Sequence, residues 1–130
     1  MAQVLRLLET VRPERPKPAL ATFEEFERRL GRHFDWEENW LFPALAAQNG
    51  DAASSIRTMK EEHQEIHELA AKARGFLQGA SERSAAKGLA GLQEALRTHE
   101  LNEGRELFQA LDGLLSAAET AAFLERLPRF

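Results

Sequence analysis

His33-Phe34-Asp35-Trp36-Glu37-Glu38-Asn39-Trp40-Leu41-Phe42-Pro43-Ala44-Leu45 is echoed downstream by His99-Glu100-Leu101-Asn102-Glu103-Gly104-Arg105-Glu106-Leu107-Phe108-Gln109-Ala110-Leu111. Laying His33 on His99 places Glu37 on Glu103, Leu41 on Leu107, Phe42 on Phe108, Ala44 on Ala110 and Leu45 on Leu111, and upstream Leu30 on Leu96. Residues three and four apart share one face of an α-helix. Both copies therefore read as amphipathic helices whose inward stripe carries a His and a Glu one turn apart. Leu and Ala at this spacing are common in cores, but histidine occurs only four times in the chain, so its recurrence at one register is informative.

The remaining sequence is helical in the same way. No segment shows sustained alternation of period two, and Ala, Leu, Glu and Arg, strong helix formers, abound. A short helix is predicted over 2–11, then a Pro-rich linker over 12–19, since Pro13, Pro16 and Pro18 remove backbone donors. Thr22-Phe23-Glu24-Glu25 reads as a capping box opening the second helix, which Pro43 should kink and Asn49-Gly50 should end as a left-handed stop. The third helix is expected from Asp51 or Ala52 to Gln78, with Ile56, Met59, His63, Ile66, His67, Ala70 and Leu77 inward. The fourth runs from about Ser81 to about Asp112, and a short C-terminal helix from Ser116. The expected fold is all-α: an up-and-down four-helix bundle with a short first helix. Residues 1–130 form one domain, in which 1–19 are the short helix and linker and 22–111 the core.

Composition agrees and excludes several classes. At 130 residues, with 43% hydrophobic and 29% charged residues, the chain can bury a proper core. The absence of cysteine excludes a disulfide scaffold, an iron–sulfur cluster, thiol catalysis and a thiolate zinc finger, and it fits a cytoplasmic location. A net charge of −4 argues against nucleic-acid binding. No apolar run is long enough to cross a membrane, and no signal peptide is expected. No phosphate-binding glycine loop or serine nucleophile motif occurs.

The chemistry lies in the histidines. His33 pairs with Glu37, His63 with His67, and His99 with Glu103, each four residues apart and on a predicted apolar stripe. A bare buried carboxylate costs several kcal/mol, and a buried polar group without a partner about 1–3 kcal/mol. A metal ion offsets both. Imidazole with carboxylate suits iron, zinc, copper or nickel better than calcium. Six donors exceed the four of a tetrahedral zinc, so two ions roughly 3.5–4 Å apart, bridged by Glu37 and Glu103, use the set better. A polar core network without metal is the competing reading. A zincin site is excluded because Gln64 stands where the catalytic glutamate would be. The Glu-x-x-His spacing of ferritin-type bundles is also absent.

The motifs His33-Phe34-Asp35-Trp36-Glu37-Glu38 with Leu41-Phe42-Pro43-Ala44-Leu45, Glu62-His63-Gln64-Glu65-Ile66-His67, and His99-Glu100-Leu101-Asn102-Glu103 together resemble the hemerythrin-like (HHE cation-binding) domain family over residues 22–111. The resemblance implies a bundle holding a non-haem di-iron centre (Fe2+/Fe3+) that binds or senses dioxygen, nitric oxide or iron. By position, His33, His63, His67 and His99 would be terminal ligands, and Glu37 and Glu103 would bridge. Oxygen carriers of the family usually place an aspartate five residues after the last histidine. Here that place is Gly104, so the carboxylate at Glu103 resembles the iron-repair and iron-sensing branches. The family's first helix normally offers another histidine, and residues 1–32 contain none. Water, an exogenous ligand or Glu9 would fill that place, which leaves room for zinc or a single ion.

The primary reading is a metal-centred binding or sensor protein. The alternatives are a di-iron enzyme or iron-delivery repair factor, and a metal-free helical interaction module. Trp40 is expected to wall the pocket or pack in the core. The short first helix leaves a groove open, which a fold-back of the last helix (Leu114, Leu115, Phe123, Leu124) and a second copy would cover, so a homodimer is expected.

Overall fold

The computed structural model describes residues 2–79 and 81–111, together with Glu119 and Ala122. The predicted C-terminal helix from Ser116 and its apolar residues lie outside the described set. The described elements are α1 (Ala2–Glu9), α2 (Pro16–Trp36), a π-helical turn (Glu37–Leu41), α3 (Phe42–Gln48), a 3-10 turn (Gly50–Ala52), α4 (Ala53–Gly79) and α5 (Glu82–Leu111). No strand occurs among the described residues. Packing runs in a ring, with α1 against α2, α2 against α4, α4 against α5 and α5 against α1.

The helix starts reflect local chemistry. α2 begins at Pro16, not at Thr22, so the second half of the expected linker is helix. Proline is tolerated in a first turn, where its missing N–H has no intrahelical partner to lose. The Ala19 amide donates to the Arg15 carbonyl at 2.9 Å, closing that turn. The Thr22 signal therefore falls inside a helix already under way. α5 starts as expected, with the Ser81 hydroxyl accepting from the Ser84 amide at 3.2 Å. Before α4, Asn49 takes an extended conformation (φ −146°) instead of a left-handed one, and its side chain accepts from the Asp51 amide at 2.9 Å.

Pro43 perturbs the chain one turn upstream of itself. The Phe42 amide bonds to the Glu37 carbonyl, five residues back, which defines the wide turn. A π-turn takes more residues per revolution, so positions after Glu37 fall behind the α-helical phase. Leu41 stays inward, while Trp40 swings out to 71% exposure. Trp40 thus neither walls a pocket nor packs in the core. Trp36 is half-buried instead, its ring 6.4 Å from that of His33.

Two apolar clusters form the core. The larger holds Val4, Leu8, Phe23, Phe26, Leu30, Phe34, Ile66, Leu92 and Leu96, among others. The smaller holds Leu41, Phe42, Leu45, Ala52 and Met59. Along α2 and its π-turn, His33 and Glu37 lie between Leu30 and Leu41. Along α4, His63 lies between Met59 and Ile66, and along α5, His99 and Glu103 lie between Leu96 and Leu107. A polar layer therefore separates two apolar ones. Gly88 lets α5 close on α4, since a Cβ there would stand 2.7 Å from Phe76 Cδ2. Arg74 pairs with Glu27 at 2.7 Å across α4 and α2, and Ser55 donates to Glu106 at 2.6 Å across α4 and α5. No described helix is long and apolar enough to cross a membrane.

Candidate metal centre

The polar layer is built by three helical segments. Glu37 comes from the first residue of the π-turn, His63 from the middle of α4, and His99 and Glu103 from one face of α5. One donor atom from each of these four residues lies within 4.8 Å of the other three. Glu37 is wholly buried, and His99 and His63 are 1% and 2% exposed. Glu37 Oε1 stands 3.3 Å from His63 Nε2, and Glu103 Oε2 stands 3.1 Å from His99 Nε2 and 3.9 Å from His63 Nε2.

His33 is buried beside the cluster, its Nε2 3.3 Å from Glu37 Oε1. His67 stands apart from the four. After His63 the inward stripe of α4 continues through Ile66 and Ala70, so His67 falls on the flank and is exposed. Its ring meets the edge of Phe34 at a centroid distance of 5.3 Å. The expectation that all six side chains point inward therefore fails at His67.

These contacts do not satisfy the layer. Six buried atoms, namely both carboxylate oxygens of Glu37, both ring nitrogens of His63, His99 Nε2 and Glu103 Oε2, have no partner in hydrogen-bond geometry. At about 1–3 kcal/mol per buried polar group left unpaired, the layer is a heavy burden on an unliganded fold. A positive ion at the centre of the four donors would satisfy one of these atoms from each of the four residues at once. Imidazole nitrogen with carboxylate oxygen is also a donor set suited to iron or zinc. The residues present fit a metal.

The whole-chain comparison agrees. A family model described as the hemerythrin HHE cation-binding domain matches residues 1–111. The chain belongs to this family. No curated protein and no solved structure matches it.

The electrostatics of this hemerythrin domain follow from burial. Burial pushes the Glu37 carboxyl up to about 10, with the neighbouring Glu103 carboxylate adding to the rise. Burial would raise Glu103 too, but the imidazoles of His63 and His99 outweigh it and hold that carboxyl below its ordinary range. His33 is lowered by burial to about 4. Burial alone would lower His99 as well, but Glu103 and Glu62, one at each ring nitrogen, leave it above its ordinary 6.5. Without metal the layer thus holds one protonated and one ionised carboxyl, side by side.

Three residues of this hemerythrin site escaped the reading by spacing. Glu62 accepts a hydrogen bond from His99 Nδ1 at 3.0 Å, and Glu38 Oε2 lies 3.6 Å from His63 Nδ1. The Phe34 ring stacks on His63, 3.8 Å between centroids at 11°, and meets His99 edge-on at 5.7 Å. Each stands next in sequence to a residue of the layer, but the partner it touches lies on another helix. No periodicity within one helix reports such a contact.

Proposed function

We propose that this hemerythrin-family protein holds a non-haem di-iron centre and uses it to bind or sense a small diatomic ligand, dioxygen or nitric oxide, or iron itself. One observation carries the reading: Glu37, His63, His99 and Glu103 converge in one layer, and six of their buried polar atoms have no hydrogen-bond partner. His33, beside Glu37, and His67, at the rim, complete the six-donor set. In this reading Glu37 and Glu103 would hold the ions together with the four histidines. Bound there, iron supplies an open coordination position for a small molecule.

The protein's own residues set the conditions for that chemistry. Phe34 and Phe42 stack against the His63 ring at 3.8 and 5.7 Å, and that ring is only 2% exposed. Glu37 gives up its proton when an ion arrives, so binding is coupled to proton release. Histidine is absent from residues 1–32, which leaves one ion short of a protein ligand and favours a labile or reactive site over reversible oxygen carriage. The same donors would serve a di-iron enzyme or iron-delivery repair factor. Visible spectra of the anaerobically iron-loaded protein, exposed in turn to oxygen and nitric oxide, test the proposal. Ligand-specific bands without turnover support a binding or sensing role. Sustained consumption of either gas would instead establish an enzyme, and no spectral change with either would overturn the diatomic-ligand reading.

A homodimer belongs to the same proposal. It would form near α1 and the open side of the bundle, and most soluble oligomers are two-fold dimers.

A further inference from the structure

The His99–Glu62 contact joins α5 to α4 at the wall of the polar layer. His99 Nδ1 lies 3.0 Å from Glu62 Oε2 in hydrogen-bond geometry. A carboxylate only accepts, so the ring nitrogen donates and Nδ1 carries the proton. The other nitrogen, Nε2, then keeps its lone pair and faces the interior, 3.1 Å from Glu103 Oε2 with no hydrogen-bond partner. Either tautomer of the neutral ring leaves one nitrogen facing a carboxylate, Nε2 facing Glu103 or Nδ1 facing Glu62, but only Nδ1 stands in hydrogen-bond geometry, and only the Nδ1–H form leaves Nε2 free for a metal.

Glu62 is not one interchangeable acid among several. It lines an open cleft of about 440 Å³ between α4 and α5, together with Glu65, Glu94, Thr98 and Asn102. Neither Glu65 nor Glu94 hydrogen-bonds to His99. The Glu62 side chain is 20% exposed and the His99 side chain 1% exposed, so Glu62 stands between the water of the cleft and a dry ring.

We propose that Glu62 is a positioning residue for the metal centre, which locks His99 in the Nδ1–H tautomer and aims Nε2 at the ion. The inference rests on the metal-binding reading above and deepens it. An outer partner of a ligating histidine is typically worth about 10–100-fold in metal affinity. Glutamine at position 62 keeps an acceptor oxygen and loses the charge, whereas alanine loses both.

Two measurements on the full chain test this. The first is a long-range proton–nitrogen NMR spectrum of the metal-free protein, at a pH where the His99 ring is neutral. The wild type and Glu62→Gln should show the proton on Nδ1, and Glu62→Ala should lose that preference. The second is the dissociation constant for zinc by chelator competition. Glu62→Ala should weaken binding about 10–100-fold, Glu62→Gln should recover most of the loss, and Glu65→Ala and Glu94→Ala should stay close to wild type. Equal losses from all three alanine variants would overturn the proposal, because they would mean that the cleft acts only through its net charge. An unchanged tautomer in Glu62→Ala would overturn it too. Failure of the wild type to bind zinc or iron would overturn the metal reading instead, and the tautomer measurement would still decide the role of Glu62.

Discussion

Glu37 Oε1 lies 3.3 Å from His63 Nε2 across the boundary between the π-turn and α4, and neither atom has a hydrogen-bond partner. A carboxyl and an imidazole held this close, dry and unsatisfied form half of the four-donor cluster. The other half comes from α5, through His99 and Glu103. In the repeat register Glu37 corresponds to Glu103, so the two motif copies meet at one point.

The register predicts which substitutions remove metal. His63→Ala and His99→Ala should weaken iron binding beyond the about 10–100-fold typical of an outer partner. Gln64→Ala and Glu100→Ala, at neighbouring positions outside the donor cluster, should change it little. His67→Ala should cost less than His63→Ala, because His67 is exposed and outside the four-donor cluster. Chelator competition on each variant checks the order, and equal losses at positions 63, 64, 99 and 100 would refute the register.

Proton linkage predicts how the metal-free protein responds to pH. Glu37, raised to about 10, keeps a proton in the fold that the unfolded chain releases above about 4.5, so stability falls as pH rises toward 10. His99, raised above 6.5, adds to the fall above that value. His33, lowered to about 4, has the opposite sign: stability falls as pH drops from 6.5 toward 4. The two slopes oppose between about 4.5 and 6.5, giving a plateau there and a decline above it. One proton's difference is worth about 1.4 kcal/mol per pH unit. Thermal melts of chelated protein at about pH 6 and about pH 9 should show a lower Tm at the higher pH, and Glu37→Gln should remove most of the difference. Equal melting temperatures for the wild type would contradict the assignment.

Metal should stabilise the fold. An ion that binds only the native state contributes RT ln(1 + [L]/Kd), about 2.7 kcal/mol at a hundredfold excess over Kd. Removing metal with a chelator should lower Tm, and adding it back should restore the original value. An unchanged Tm on complete chelation would mark the polar layer as structural.

Phe34 is fully buried and supports the His63 ring. Phe34→Ala should cost about 3–5 kcal/mol, the usual range for emptying such a site. Urea unfolding of the chelated protein measures this apart from any effect on metal binding. A loss below about 1 kcal/mol would show that the core does not depend on this ring.

Assembly is tested by light scattering at micromolar concentration. The dimer proposal expects twice the chain mass. A monomeric wild type would refute it.

Much of this was legible in the sequence, for a physical reason. His33, Glu37, His63, His99 and Glu103 lie on long amphipathic helices, where a period of three and four fixes which face is inward. Their inward placement followed from spacing alone. Thr22 misled because a capping box is a local signal, and Pro16 had already opened the helix in a way that proline at a first turn permits. Trp40 misled because a π-turn changes the period within one turn, which no averaged periodicity registers. His67 is the subtler case. Positions i+3 and i+4 from His63 compete for the core, and the more apolar Ile66 takes it. Glu62 and Glu38 were hidden because their contacts cross between helices.

The most direct test of the central claim is metal quantification on protein purified anaerobically from iron-supplied cells, with the His63→Ala/His99→Ala double variant alongside. The account predicts about two iron equivalents per chain in the wild type, one of them lost more readily on dialysis, and almost none in the double variant. A wild type that holds neither iron nor zinc and takes up neither on reconstitution would contradict it.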